Sequence, residues 1–176
     1  MNYANIKRYD VANSIGIAST IFFSGCKFNC KGCFNKEAQN FNYGKPYTKE
    51  VEDLYISYLK DEHVKCANLL GGEVFQQDLN VIYNLVDRIN KEVGKPIWVW
   101  TGYLFEVLIQ DENKLKILKQ IDVLIDGQFK IDKKDLNLKF RGSSNQRVIN
   151  VQESLKQGKV IEINKKESLT SPSTMI

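Results

Sequence analysis

The chain has 176 residues, of which 43% are hydrophobic, 26% charged and 11% aromatic, as expected for one compact domain. No apolar run is long enough to cross a bilayer, and residues 1–8 lack the charged-then-apolar order of a secretory signal. The formal net charge is +4, with the lysines spread along the chain, whereas nucleic-acid binding needs a clustered basic stripe. We therefore expect a cytoplasmic protein that binds neither membrane nor nucleic acid.

Short apolar segments rich in branched and aromatic residues alternate with longer segments of helical periodicity. This alternation is typical of βα units and favours a largely parallel sheet. The predicted strands cover residues 17–23, 66–70, 97–101 and 121–125, and residues 147–151 add a last one. Each of the first four ends at a polar or glycine-containing turn.

The clearest predicted helix follows Asp78, which can cap it, and its apolar residues recur every three or four positions as far as Val93. Gly94 closes this helix. A second helix is predicted after Thr48 and a third over residues 111–119.

The predicted fold class is α/β, in the form of a partial (incomplete) βα barrel with a mostly parallel sheet. A complete eight-fold βα barrel takes about 250 residues, so a chain of this length can build only part of one. We expect a single domain over residues 1–164. Residues 165–176 are polar and unpatterned and are expected to form a flexible tail.

Three of the four cysteines fall within eight residues, directly after the first predicted strand, in the pattern Cys26-x3-Cys30-x2-Cys33. In a reducing cytoplasm such clustering indicates a metal site rather than a disulfide. Structural zinc almost always takes four protein ligands, and a [4Fe–4S] cluster with a full protein shell takes four thiolates. Only three cysteines are local here, so a four-iron cluster would keep one iron open to a small molecule.

The other candidate ligands are poorly placed. Cys66 begins a predicted strand, at the end opposite to the one from which the cysteine loop leaves the sheet, so we expect it to be buried and inert. His63 is the only histidine and lies in a charged stretch near a predicted helix end, so we expect it at the surface.

A second motif, Gly71-Gly72-Glu73, follows the second predicted strand. Its glycines permit close approach of the backbone to a ligand, and its polar groups can accept from an ammonium. Both motifs follow strand carboxyl ends, where ligands bind in parallel βα proteins. Together, in this order, they resemble the radical S-adenosylmethionine superfamily, whose open iron chelates the methionine amine and carboxylate of the cosubstrate.

The resemblance narrows to the activating proteins of anaerobic ribonucleoside-triphosphate reductase and extends to about Val151. It is carried by residues 22–26, 33–36, 98–103, 122–127 and 140–146. It implies a glycyl-radical-generating activase: an oxidoreductase that reductively cleaves S-adenosylmethionine at a [4Fe–4S] cluster. The resulting 5′-deoxyadenosyl radical abstracts hydrogen from a glycine of the reductase.

The resemblance also assigns residues and partners. It implies Cys26, Cys30 and Cys33 as cluster ligands, Gly32, Cys33 and Phe34 as the backbone against the adenine side, and Gly71, Gly72 and Glu73 as the segment that meets the methionine amine. No side chain is assigned as a general acid or base, because the carbon radical itself takes the hydrogen atom. The implied partners are the large subunit of the reductase and a low-potential electron donor such as flavodoxin.

The chain departs from the family pattern in three places. Residues 14–16 read Ser-Ile-Gly instead of Gly-Pro-Gly, Lys31 replaces a usual proline, and residues 74–76 read Val-Phe-Gln where a proline is common. The stretch from Arg141 to Arg147 has two open interpretations, an ordinary polar loop or a contact for partner or cosubstrate. Trp98 and Trp100 share one strand face and are expected to pack, and residues 126–127 are first of all a turn.

Two other functions share some of these features. A small radical enzyme acting on a metabolite, such as a deazapurine ring-contracting synthase, would have the cysteine loop and Gly-Gly-Glu but should lack the stretches at 98–103 and 140–146. A zinc-binding interaction module could instead combine the three cysteines with Cys66 or His63.

Overall fold

A seven-stranded mixed sheet organises the computed structural model, which describes residues 1–163. Its strands are β1 (Asn2–Asp10), β2 (Ile17–Ser24), β3 (Lys45–Pro46), β4 (Val64–Gly71), β5 (Ile97–Trp100), β6 (Val123–Asp126) and β7 (Arg147–Asn150). The order across the sheet is β3-β1-β2-β4-β5-β6-β7. The four central strands β2, β4, β5 and β6 are parallel, while β1, β3 and β7 pair antiparallel at the two sides.

Five α-helices connect or follow these strands: α1 (Lys49–Leu59), α2 (Leu79–Glu92), α3 (Phe105–Leu108), α4 (Glu112–Leu118) and α5 (Val151–Gln157). The side chains of Thr48, Asp78 and Asp111 cap α1, α2 and α4 by accepting from backbone N–H groups of the first turn. The three predicted helices are thereby confirmed with their starts. In residues 1–163, no helix combines the length and apolar character that crossing a membrane requires.

The two faces of the sheet are packed differently. Apolar residues of all five helices join alternate strand residues in one large buried cluster, which includes Ile82, Leu85 and Ile89 of α2. Strand residues of the other face form a smaller cluster around Trp98, with loop residues such as Phe140 packed on it. On this second face, the loops that follow the carboxyl ends of the parallel strands line a cavity.

The α/β class and all five predicted strands are confirmed, with ends that move by one or two residues. The sheet is less parallel than expected, because β1 and β3 were not predicted and both pair antiparallel. β1 has few apolar residues and mostly exposed or half-buried side chains, so it shows no apolar run. Strand order and register establish one sheet without establishing its curvature, so the partial barrel stays a prediction. The predicted tail, residues 165–176, lies outside the described residues.

Candidate functional site

One cavity of about 600 Å³ lies at the carboxyl ends of the parallel strands. Loops that follow β2, β4, β5 and β6 line it together with residues 140–142 and Gln146. Among the lining residues are most of those singled out from the sequence, namely Cys26, Cys30, Cys33, Phe34, Gly71, Gly72 and Glu73. Gly32 belongs to the same loop, with its Cα against Ile131. Chain folding thus brings the two motifs to one place, as their positions after neighbouring parallel strands predicted.

The cysteine loop is held at its base by backbone hydrogen bonds. Gly25 N–H donates to Ala38 O at 2.7 Å, and Cys26 N–H donates to Gln39 O at 3.0 Å. Gly25 has a φ of 110°, in the region that favours glycine, and a Cβ there would overlap the Phe41 ring. A non-glycine residue before the first cysteine would therefore displace the start of the loop.

All three loop cysteines are half-buried free thiols. Burial raises the pKa of the Cys26 and Cys30 thiols, and the neighbouring Cys33 raises that of Cys30 further. Because the thiolate is the metal ligand, binding at this loop would release protons.

The three loop thiols form a donor set that fits a cubane cluster. Within residues 1–163, no three or more Cys, His, Asp or Glu side chains converge to hold one metal ion. A cubane differs from a zinc site because each thiolate ligates its own iron, so the sulfurs stay apart around the cluster. Three half-buried thiols facing one cavity satisfy this requirement.

Cys66 and His63 do not join the three cysteines. Cys66 is only 4% exposed and lies beside Ala18 near the start of β2, whereas the cysteine loop leaves the other end of β2. Six residues of extended strand separate these ends, or about 20 Å. The His63 side chain is 69% exposed, near Glu62. Both expectations are confirmed, and the zinc module loses its proposed fourth ligand.

The Gly-Gly-Glu segment continues the parallel pairing of β2 and β4 into the cysteine loop. Gly72 N–H donates to Phe23 O and Glu73 N–H donates to Gly25 O, each at 2.8 Å. A Cβ at Gly72 would overlap the backbone of Gly25, and one at Gly71 would overlap that of Phe23. The two motifs therefore meet backbone against backbone, at a distance that only glycine permits.

The Glu73 side chain does something that the sequence did not predict. It is 1% exposed, and its carboxylate accepts from Thr101 Oγ1 at 2.8 Å, Gly102 N at 2.7 Å and Phe75 N at 3.0 Å. Burial raises the pKa of Glu73 to about 7, although these three donors oppose the rise. Glu73 thus joins the loop after β4 to the loop after β5, and the position of Thr101 and Gly102 directly after the strand beside β4 was the available signal.

A second set of contacts ties the loop after β5 to the cysteine loop. Phe28 packs edge-to-face on Tyr103, with ring centroids 4.8 Å apart, and a Cβ at Gly102 would overlap the Phe28 ring. Lys27 N–H donates to Gln76 Oε1 at 2.7 Å, and Gln76 Nε2 in turn donates to Tyr103 Oη at 3.3 Å. Residues 100–103 (Trp-Thr-Gly-Tyr) belong to the stretch 98–103, which the sequence singled out only through the family resemblance. They support both the cysteine loop and the Gly-Gly-Glu segment.

The stretch from Arg141 to Arg147 folds on itself. Arg141 Nη1 donates to Gln146 O at 2.6 Å, and Gln146 Oε1 accepts from Gly142 N at 3.0 Å. Arg141, Gly142 and Gln146 also line the cavity. In contrast, the Arg147 side chain forms an ion pair with the buried carboxylate of Asp126. The stretch is thus an ordered polar loop, and Arg141, Gly142 and Gln146 are the residues that it presents to the cavity.

Trp98 and Trp100 pack as expected. Their rings stack with centroids 6.1 Å apart, and Trp100 Nε1 donates to Phe140 O at 2.7 Å. Asp126 is fully buried and accepts from Phe105 N at 2.8 Å, and Gly127 has a φ of 93°. The turn interpretation of residues 126–127 agrees with these contacts.

Comparison with known proteins identifies the family to which this chain belongs. Residues 12–149, which include the loop of Cys26, Cys30 and Cys33, match the model of a 4Fe-4S single cluster domain. The chain belongs to the family of anaerobic ribonucleoside-triphosphate reductase-activating proteins.

Relatives of that name cover most of the chain. The protein from Escherichia coli is 42% identical over 150 residues, which are 83% of this chain and 96% of the relative. The one from Pasteurella multocida is 39% identical over 83% of this chain and 95% of the relative. The one from Enterobacteria phage T4 is 36% identical over 84% of this chain and 93% of the relative. The predicted family resemblance is confirmed.

Proposed function

We propose that this protein activates an anaerobic ribonucleoside-triphosphate reductase by reductive cleavage of S-adenosylmethionine at a [4Fe–4S] cluster. The observation that carries the proposal is the cavity in which three cysteines of a Cys-x3-Cys-x2-Cys loop face a Gly-Gly segment, with Cys66 held at the far end of the sheet. Such a site binds a cluster through three irons and keeps the fourth for a ligand. The names of the relatives supply the target protein.

The chemistry is that of the bound cofactor and cosubstrate. When bound, the cluster and S-adenosylmethionine would supply one-electron reduction of the sulfonium by a low-potential donor, cleavage of the bond from sulfur to C5′ and removal of a hydrogen atom from a reductase glycine, with methionine, 5′-deoxyadenosine and a glycyl radical as products. We assign no side chain as a general acid or base, because the hydrogen moves as an atom.

The protein's part is to hold and orient these groups. Cys26, Cys30 and Cys33 would hold the cluster, with one thiolate on each of three irons. The segment Gly71–Glu73 lies directly beside the first cysteine, so its backbone carbonyls can accept from the methionine ammonium. The Glu73 carboxylate acts mainly by holding this segment against the loop after β5.

The adenine side is proposed to lie along Gly32, Cys33 and Phe34. Phe34 lines the cavity and packs edge-to-face on Phe129, with centroids 5.1 Å apart. This pair gives one wall of the cavity an apolar surface suited to a planar base. The cysteines are half-buried, so the cluster loop lies close enough to the surface for electron transfer from an external donor such as flavodoxin.

The direct test uses the reconstituted protein under anaerobic conditions. The chemically reduced protein is incubated with S-adenosylmethionine and the reductase large subunit, and methionine release and electron paramagnetic resonance are recorded. We expect methionine together with a glycyl radical signal. Methionine release without any glycyl signal would point to another substrate, and zinc without iron or sulfide in the purified protein would contradict the cluster.

The Glu73 brace gives a separate prediction. Thr101→Val removes one of the three donors to the buried carboxylate at nearly constant volume, and we expect unfolding free energy to fall by about 1–3 kcal/mol. We also expect the Kd for S-adenosylmethionine to rise severalfold in equilibrium binding, because the Gly-Gly-Glu segment loses a support.

The matched control is Thr20→Val. Thr20 is also buried, and its hydroxyl donates to Asp10 Oδ2 at 2.8 Å, so a similar loss of stability is expected. Its effect on cosubstrate affinity should be small, because Thr20 is not a residue of the cavity wall. Equal loss of affinity in both variants would show that Thr101 has no special role in positioning.

A further inference from the structure

Two segments at the mouth of the cavity concentrate the positive charge of the chain. Residues 27–36 and 130–141, which we call the basic rim, contain eight lysines and arginines against two aspartates, whereas the whole chain has a formal net charge of only +4. The remainder of the chain is therefore acidic on balance. The lysines are spread along the sequence, but folding collects many of them around one opening.

Direct contacts join the two segments into one surface. The Phe34 ring packs on Phe129 and lies under Lys134 Nζ, which is 5.2 Å from its centroid. A Cβ at Gly32 would lie 2.8 Å from the Ile131 side chain. The segments are about a hundred residues apart in sequence, so neither alone shows the charge of the rim.

The charges of the rim are uncompensated within the part of the chain that the structure describes. None of its eight basic side chains forms an ion pair there, although Arg8, Arg88 and Arg147 elsewhere all do. The rim lysines are exposed, and Arg141 is half-buried in the cavity wall. Clustered unpaired charge of this kind steers association with a partner of opposite sign.

Exposed apolar side chains lie among these charges. Leu136 is 80% exposed, Phe34 60% and Ile131 42%. Leu136 and Phe34 also line the cavity, so an occupant of this surface reaches into the mouth of the site. Exposed apolar anchors surrounded by charge are typical of a protein-binding surface.

We propose that the basic rim docks an acidic, extended segment of the reductase large subunit, with an apolar residue on Leu136 and the reacting glycine presented to the cavity. This inference rests on the proposed function and adds the surface and the partner chemistry. An electron donor must come close to the cluster but does not enter the cavity. Because Leu136 lines the cavity, this surface suits the substrate segment of the reductase better than an electron donor.

The test measures binding of the reductase large subunit to the cluster-loaded protein. Lys133→Glu combined with Lys134→Glu reverses two exposed charges of the rim, and we expect Kd to rise at least tenfold at low salt. Raising the ionic strength from about 0.05 to 0.5 M should weaken the wild-type complex and narrow this difference, because salt screens exposed charges. Leu136→Ser, at a highly exposed position, should raise Kd severalfold at both ionic strengths.

The matched control reverses Lys156 and Lys159 to glutamate. Both are exposed, on and after α5, which follows the end of β7 opposite to the cavity. An unchanged Kd is expected. Equal weakening in control and rim variants, or no weakening in the rim variants, overturns the proposal. Loss of electron transfer from flavodoxin with unchanged reductase binding assigns the rim to the donor and overturns it too.

Cosubstrate cleavage separates this inference from the proposed function. Methionine release by the dithionite-reduced protein without reductase should be the same in wild type and in the variant with Lys133→Glu and Lys134→Glu, since neither lysine lines the cavity. Loss of this activity in the rim variants would mean damage to the site and would count against a docking role. A wild-type protein that binds reductase through the rim but releases no methionine would instead contradict the proposed function alone.

Discussion

Cys30→Ala is expected to abolish both methionine release and the glycyl radical signal. In the proposed cluster site each of the three loop cysteines would supply one of three protein ligands, and Cys66 is about 20 Å of strand away from replacing a lost one. Iron and sulfide content of the anaerobically reconstituted protein should fall severalfold, and the absorption of the cluster should be lost with it. Metal analysis and visible spectroscopy check the result before any activity is measured.

Cys66→Ala is the matched control for the loss of a thiol. Cys66 is buried beside the small cluster around Trp98, so its truncation should lower the unfolding free energy by about 1 kcal/mol. Iron content, methionine release and radical yield should stay at the wild-type level. If this variant loses iron while Cys30→Ala keeps it, the assignment of three ligands is wrong.

The second large effect is expected from Gly72→Ala. The added Cβ would overlap backbone atoms of Gly25, and backbone cannot swing aside as a flexible side chain does. The cysteine loop and the Gly-Gly-Glu segment must separate, so we expect S-adenosylmethionine affinity to fall at least tenfold and methionine release to be nearly lost. Cosubstrate binding measured on protein of known iron content separates a shifted cosubstrate segment from a lost cluster.

Gly94→Ala controls for the general cost of replacing a glycine. Gly94 follows α2 with a φ of 67°, and a Cβ there meets nothing within 4 Å. Backbone strain should cost about 1 kcal/mol of stability, whereas iron content and cosubstrate affinity should not change. Wild-type affinity in Gly72→Ala would show that the close approach of the two loops is not needed.

The centre of the fold was predictable because its strands are nearly continuous apolar runs and its helices have strong caps. β4 to β6 are buried on both faces, which produces such runs, and Asp78 caps α2 as predicted. The sides of the sheet were not predictable by the same signal. β1 is polar and exposed and is fixed by pairing with β2, and α5 begins directly after β7 with Asn150 as its cap, without a separating turn.

At the site, the sequence predicted which loops meet but not how they hold one another. Neighbouring parallel strands place their carboxyl ends together, so Cys26 and Gly72 had to be close. The role of the Glu73 carboxylate depends on Thr101 and Gly102, which lie nearly thirty residues away, directly after the next strand of the sheet. The basic rim likewise depends on the contact of Phe34 with Phe129, and no local pattern contains both.

The two edges of the sheet also limit aggregation of the protein. β3 is only two residues long and ends in Pro46, which has no N–H to offer, and the rest of β1 carries Lys7 and Arg8 beside irregular register. At the other side, Asn150 N–H and Val148 O of β7 are already bonded to residues 161 and 163. Neither side offers a long, flat row of free backbone groups to another copy. Copies of the protein are therefore protected against strand-to-strand association.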